Sequence, residues 1–432
     1  MKKLFFFSAV ISCCFAFVGA ECKDMIDVRK YGAKGDGLTL DTRAIQKALD
    51  TGKIVFFPAG VYRSGTIYLR SGGGLHLDAN AVILGSRSPA DYNSADFDPR
   101  NTSSVKECAS GAHLIVAADC TDISIGGRGT VCGNRTGIFN TDIILTPNGA
   151  RPRYQLPQWR PSAMIYLVGC RGVKIRDVSL NDSPYWTCFL HDCENVVIEN
   201  VTIHNDRFTN NSDGLDIDCC RHVKITGCTI FSGDDAIAIR GNQTPLKKDA
   251  PCSDITVSDC ILSSAACGVR IGVGNGAISD CRLSGLKMVD TRIGIGICPS
   301  YGGGKCTAIR KVVFENCRID SVQTILMLPG WQKDIDDPEA KKVTNLTFRK
   351  IEAVASRASL LADSRQGGMF ENIVFEDSVF TLLPDSESPN RPAFWTDADY
   401  GIINLLGMKG AVFSNCRGIS AEGKPFILRR DR

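Results

Sequence analysis

A nine-residue unit recurs along this chain and constrains its fold more than any other feature. The units are "GVKIRDVSL" (172–180), "NVVIENVTI" (195–203), "HVKITGCTI" (222–230), "DITVSDCIL" (254–262), "GAISDCRLS" (276–284), "KVVFENCRI" (311–319), "NLTFRKIEA" (345–353), "NIVFEDSVF" (372–380) and "AVFSNCRGI" (411–419). Each alternates apolar and polar residues, as a half-buried strand does, with Asn, Asp or Gly at a bend. Units spaced about 20–40 residues apart are the mark of stacked solenoid coils. A coil this short buries its apolar face only against its neighbours. The expected fold is all-β: a single-stranded, right-handed parallel β-helix.

The cysteines fit that reading. An exported chain with 20 cysteines ordinarily suggests a disulfide scaffold. Here Cys228, Cys260, Cys281, Cys317 and Cys416 all follow the bend of a repeat, so they are expected to form a stacked interior row of small apolar side chains. Cys108, Cys120, Cys132, Cys252, Cys298 and Cys306 fall outside that register and are available for pairing in loops. No CxxC pair or Cys/His spacing suits zinc, and neither a metal nor another cofactor is expected.

Ahead of the repeats, "TLDTRAIQKALD" places Asp41 as N-cap of a short helix with Ala44, Ile45 and Leu49 on its apolar face. Such a helix closes the open end of a solenoid, where sheet edges otherwise lie bare. The first residues, "MKKLFFFSAVISCCFAFVGAEC", have a basic start, an apolar run and small residues before position 21, as in an export signal. Residues 1–20 are expected to be a signal peptide and residues 21–432 one β-helix domain, placed in the periplasm or outside the cell. A lipoprotein anchor at Cys13 is the less favoured alternative. No later segment is apolar enough to span a bilayer. A net charge of +3 over 432 residues points to no nucleic acid partner, and the chain is expected to act as a monomer.

Five aspartates crowd into "NSDGLDID" (211–218) and "SGDDAIAIRG" (232–241). With "YGAKGDGLTLDTRAIQKALD", "FPAGVYRSGTIYL", "GGRGTVCGN" and "NDSPYW", in this order, they resemble glycoside hydrolase family 28, the polygalacturonases and their relatives. The resemblance runs from about Ile26 to about Ile297. It implies an inverting hydrolase acting on a pectic or related acidic polysaccharide. Such a reaction needs one carboxylic acid for the leaving oxygen and a carboxylate for the water, about 6.5–9.5 Å apart. The resemblance assigns Asp234 as general acid and Asp213 and Asp235 as the pair that holds and deprotonates the water. Asp216 and Asp218 are expected in turns or behind the reacting groups.

The departures bear on substrate. Where the family carries Gly-His-Gly, this chain has "SSAACGVRIG", with Cys267 at the histidine position. Where it carries Arg-Ile-Lys, a clamp for the sugar carboxylate, "TRIGIGIC" puts Gly296 and Cys298. Unbranched homogalacturonan is therefore not the expected substrate, whereas rhamnogalacturonan, xylogalacturonan or another branched acidic glycan fits. Arg240, Arg270, Arg292 and Asn211 are candidate sugar-binding residues, and Trp331 and Trp395 candidate stacking platforms. Trp186 is expected to pack beneath the site, and His191 and His204 to be structural. The long connections 86–110 and 137–161 are expected to wall the groove on the face of Asp213. A polysaccharide lyase on the same fold and a non-catalytic carbohydrate-binding relative are the alternative functions.

Overall fold

The computed structural model describes residues 25–93, 98–101, 109–140, 142–145, 152–300, 306–330, 341–363, 368–384 and 400–430. The expected signal peptide, Trp331, Trp395 and Cys108 lie outside them. Three strands make a coil, and each pairs in parallel with its counterpart on the next. Thus Ile165–Val168 pairs with Cys188–His191, Arg171–Arg176 with Glu194–Glu199, and Ser179–Asn181 with Thr202–His204. Repeated along the chain, these pairings join 35 strands into one continuous sheet wound on itself, the right-handed parallel β-helix.

Alternation decides which side chains enter the bore. In Arg171–Arg176, Val173 and Ile175 are buried while Lys174 and Arg176 face water. The first strand of each coil differs: Ile165–Val168, Cys188–His191 and Leu215–Asp218 are buried at every position. One face of these strands lines the bore. The other lies under the loops that build the functional site. Among the aromatic residues, Phe314, Phe348, Phe375 and Phe413 occupy successive rungs with centroids 5.5, 4.7 and 4.5 Å apart.

The repeat bends require a left-handed backbone. Asp177, Asn200, Gly227, Asp259, Gly285, Asn316, Lys350, Asp377 and Asn415 all have φ between 50° and 66°. Strand register places the bend of the fifth unit five residues later than its apolar pattern suggests: Gly285 takes the place of Asp259, while Asp280, also left-handed, lies opposite Asp254. Consequently Cys281 lies opposite Ile255 and Val312 in the middle strands, and does not stack on Cys260. Cys228, Cys260, Cys317 and Cys416 do share the position after the bend. Each thiol donates to the carbonyl two residues earlier. Cys120 and Cys252 are core residues and not loop partners, and the cysteines described are free thiols.

The capping helix spans Thr42–Leu49, with Ile45, Ala48 and Leu49 buried. Asp41 precedes it without capping it. Its carboxylate accepts instead from Lys34 N at 2.8 Å and Gly35 N at 2.9 Å, tying the upstream loop to the helix start.

Candidate active site

Two turns on adjacent coils deliver the aspartates. Asp213 ends the turn that leads into Leu215–Asp218, and Asp234 and Asp235 end the one that leads into Ile237–Gly241. Gly214 N donates to Asp235 O at 2.9 Å, which locks one turn on the other. Glycine is required where they touch: a Cβ on Gly214 would lie 2.4 Å from Ala236 O, and one on Gly233 2.4 Å from Ser212 Oγ. Ser232 and Ser264 both donate to Asp234 O at 2.5 Å, fixing the second turn from two coils. One carboxylate oxygen from each of Asp213, Asp234 and Asp235 lies within 4.8 Å of the others. Asp213 and Asp235 are buried, and Asp234 is half-buried.

Arg270, on the next coil, grips Asp235 with both Nε and Nη2, the latter 3.2 Å from Oδ1. Cys267 N donates to the same oxygen at 3.0 Å. Burial raises the Asp213 carboxyl well above its ordinary range, with repulsion from Asp216, Asp234 and Asp235 adding to it and Arg240 opposing. Burial pushes Asp216 up to about 8, against the pull of Arg240.

Asp216 and Asp218 are not turn residues. They lie in the strand Leu215–Asp218, with no exposed surface, pointing away from the bore while Leu215 and Ile217 fill it. Arg240, opposite Asp218 on the next rung, sits 3.5 Å from each carboxylate. Its guanidinium lies 4.6 Å above the Trp186 ring, so Trp186 does pack beneath the site. Alternation in "LDID" carries this information, since it places both aspartates on one strand face.

The other candidates are more dispersed. Arg292 precedes Ile293, which pairs with Cys267, so it stands two coils from Asp234 on the same edge. Asn211 has φ 57° and accepts from Arg160 Nη2 at 3.1 Å. Arg160 is fully buried; it also donates to Asn210 O and Pro184 O and covers the Tyr185 ring at 4.6 Å. Arg160, at the end of the connection 137–161, therefore lies against the turn that carries Asp213. No sequence motif marks Arg160, because its partners lie 24–51 residues away. Cys267 and Cys298 are buried around Gly296, where a Cβ would lie 3.1 and 3.7 Å from their sulfurs. Small, neutral side chains thus fill the place where the resemblance leads one to expect the clamp. His204 is exposed and packs edge-on against Phe231; His191 is buried and stacks on Phe189. Among the described residues, two groups bring three metal-ligating atoms together: Asp213/Asp234/Asp235 and His191/Asp218/Cys219.

Comparison with known proteins agrees with this architecture. The profile of glycosyl hydrolases family 28 matches residues 84–377, extending past Ile297 into coils that carry no motif. A profile described as rhamnogalacturonase A/epimerase, pectate lyase-like, matches residues 25–87. The chain is 25% identical to an exo-poly-alpha-D-galacturonosidase of Dickeya chrysanthemi over 93% of its own length and 74% of that protein. It is 26% identical to a probable polygalacturonase of Vitis vinifera, over 63% of this chain and 57% of the relative. In fold, an exopolygalacturonase of Thermotoga maritima superposes with a TM-score of 0.67 at 18% identity, covering 91% of this chain and 92% of that one. An endo-xylogalacturonan hydrolase of Aspergillus tubingensis gives 0.60 at 16% identity, covering 94% and 95%. The chain belongs to glycosyl hydrolases family 28 and is a glycoside hydrolase.

Proposed function

We propose that the protein is an exported, monomeric enzyme that hydrolyses a glycosidic bond in a pectic or related acidic polysaccharide with inversion. The observation that carries this reading is the convergence of Asp213, Asp234 and Asp235. Asp234, the least buried, gives its proton to the leaving oxygen as the C–O bond breaks. Water forms the new bond to the anomeric carbon, and its proton passes to the Asp213–Asp235 pair. Burial and mutual repulsion disfavour full ionisation of the cluster, as the raised Asp213 illustrates; in the reacting state the shared proton sits on Asp234 and the Asp213–Asp235 pair is ionised.

The oxygens lie closer together than the about 6.5–9.5 Å typical of inverting enzymes, and nearer the about 5–5.5 Å of retaining ones. Inversion therefore requires the water to sit beside the Asp213–Asp235 pair, with the sugar between it and Asp234. The configuration of the first product tests this directly. A lyase needs a basic group that accepts a proton. Burial disfavours the charged form of Arg240 and Arg270, but the neighbouring aspartates outweigh it and hold both guanidiniums protonated.

On the substrate side, relatives named for galacturonan and xylogalacturonan cleavage support a pectic glycan. Cys267 at the histidine position, with Gly296 and Cys298 at the clamp positions, favours rhamnogalacturonan, xylogalacturonan or another branched glycan over unbranched homogalacturonan. Arg292 is assigned to an anionic group of the sugar. Arg240 and Arg270 act through the carboxylates they contact, and Asn211 through the turn it shares with Arg160. Trp331 is the proposed stacking residue. Residues 1–20 would direct export to the periplasm or beyond. The test is product analysis on oligosaccharides of the three pectic classes: saturated products from a branched glycan support the reading, and unsaturated products contradict it.

A further inference from the structure

We infer that His191, Asp218 and Cys219 form a site for a borderline-soft divalent transition ion such as Zn²⁺, distinct from the Asp213/Asp234/Asp235 cluster. His191 and Asp218 are register partners on adjacent rungs, on the strand face away from the bore. Cys219 follows Asp218 with φ 53° and turns its sulfur back toward that carboxylate, 3.4 Å from Oδ1. A tetrahedral ion with bonds of about 2.3 Å to sulfur and about 2.1 Å to oxygen holds these atoms about 3.6 Å apart. One ligand atom from each of the three residues lies within 4.8 Å of the others, and none of the residues has exposed surface.

Two buried atoms here lack hydrogen-bond partners: His191 Nδ1 and Asp218 Oδ2. His191 Nε2 lies 3.2 Å from the Asn242 carbonyl. A carbonyl only accepts, so Nε2 carries the hydrogen and Nδ1 keeps its lone pair. Metal-bound histidines characteristically have this arrangement, one nitrogen donating to a backbone carbonyl and the other facing the ion. Asn242 N also donates to Asp218 Oδ1 at 2.7 Å, so one residue orients two ligands. A nitrogen, an oxygen and a sulfur select Zn²⁺-like ions over Ca²⁺ or Mg²⁺, which prefer all-oxygen shells. On binding, the Cys219 S–H bond breaks, its proton leaves to solvent, and thiolate and carboxylate together balance the ion's charge. Arg240 Nε, 3.5 Å from Asp218 Oδ2, is the competing cation, and it retains Asp216 when the ion is bound.

The test uses the folded mature protein, stripped with a chelator and dialysed against Zn²⁺, then against Co²⁺. The expected result is one ion per chain and a thiolate-to-cobalt charge-transfer band with the intensity of a single thiolate. Cys219→Ser and His191→Gln should weaken binding by about 100-fold or more, since even outer-shell changes cost about 10- to 100-fold. Cys416→Ser, a thiol on a distant coil, should leave it unchanged. Less than one ion per chain, a band of two or more thiolates in the wild type, or binding that survives Cys219→Ser would overturn the assignment. The intensity measurement decides the question even if a variant fails to fold.

Discussion

Arg270 closes on Asp235 from the next coil, with Nη2 3.2 Å from Oδ1 and Nε on the other oxygen, while Cys267 N donates to Oδ1 at 3.0 Å. Where the resemblance leads one to expect a histidine and a basic clamp, this chain has turned an arginine onto Asp235. The arrangement supplies positive charge to the Asp213/Asp234/Asp235 cluster, and under the proposed mechanism it commits Arg270 to that cluster and not to the substrate.

Removing that cation should be expensive. Arg270→Ala leaves Asp235 buried beside Asp213 and Asp234, and breaking a buried pair from one side costs about 3–5 kcal/mol. Thermal unfolding should show a large fall in Tm, together with loss of turnover. Arg270→Lys keeps the charge without the two-point grip and should fall between the two. An unchanged Tm for Arg270→Ala would mean that the pair contributes little.

Asp216 gives stability a particular pH dependence. Its carboxyl is raised from 3.8 to about 8 in the folded protein. Its contribution is intact below the unfolded value and is lost as pH rises through the folded one. Asp216→Asn cannot ionise, so the variant's Tm should gain on the wild type steadily between about pH 4 and about pH 8. Tm measured across this range checks the sign. A gain that shrinks with rising pH would contradict it.

Arg292 should act on affinity rather than chemistry. Losing one charge-assisted contact of about 1.4 kcal/mol corresponds to roughly tenfold. For an oligosaccharide bearing uronates, Arg292→Ala should raise KM by about tenfold with kcat little changed. An equal fall in kcat would instead place Arg292 in the reacting geometry.

The phenylalanine stack tests the solenoid itself. Phe375 is fully buried, with Phe348 and Phe413 at 4.7 and 4.5 Å on either side. Phe375→Ala should cost about 3–5 kcal/mol, read by denaturant unfolding. A loss below about 1 kcal/mol would mean that the coils repack into the space.

The parts of this molecule that were legible in its sequence are those with local causes. Alternation and left-handed bend residues such as Asn200 and Asp259 identify the coils, and glycine-flanked aspartates identify the turns that meet. Phase was harder to read: "GAISDCRLS" has the right apolar content, and Asp280 and Gly285 are both left-handed, so only the pairing of Ser284 with Ser258 shows that the bend lies at Gly285. Asp41 has the look of an N-cap, yet nearby backbone N–H groups at Lys34 and Gly35 compete successfully for its carboxylate. Asp216 and Asp218 favour turns by composition, and Arg240 across the rung is what accommodates them in a buried strand. Arg160 and the Arg270–Asp235 grip depend on residues brought together only by winding, and no local pattern encodes them.

The most direct test of the account is proton NMR of the anomeric signals as the mature protein, beside Asp234→Asn, acts on rhamnogalacturonan and xylogalacturonan oligosaccharides. The account predicts that the first reducing end released by the wild type has inverted configuration, and that Asp234→Asn slows its release by about 100-fold or more. Retained configuration, as the close spacing of Asp213, Asp234 and Asp235 would suit, or undiminished turnover by Asp234→Asn, would contradict it.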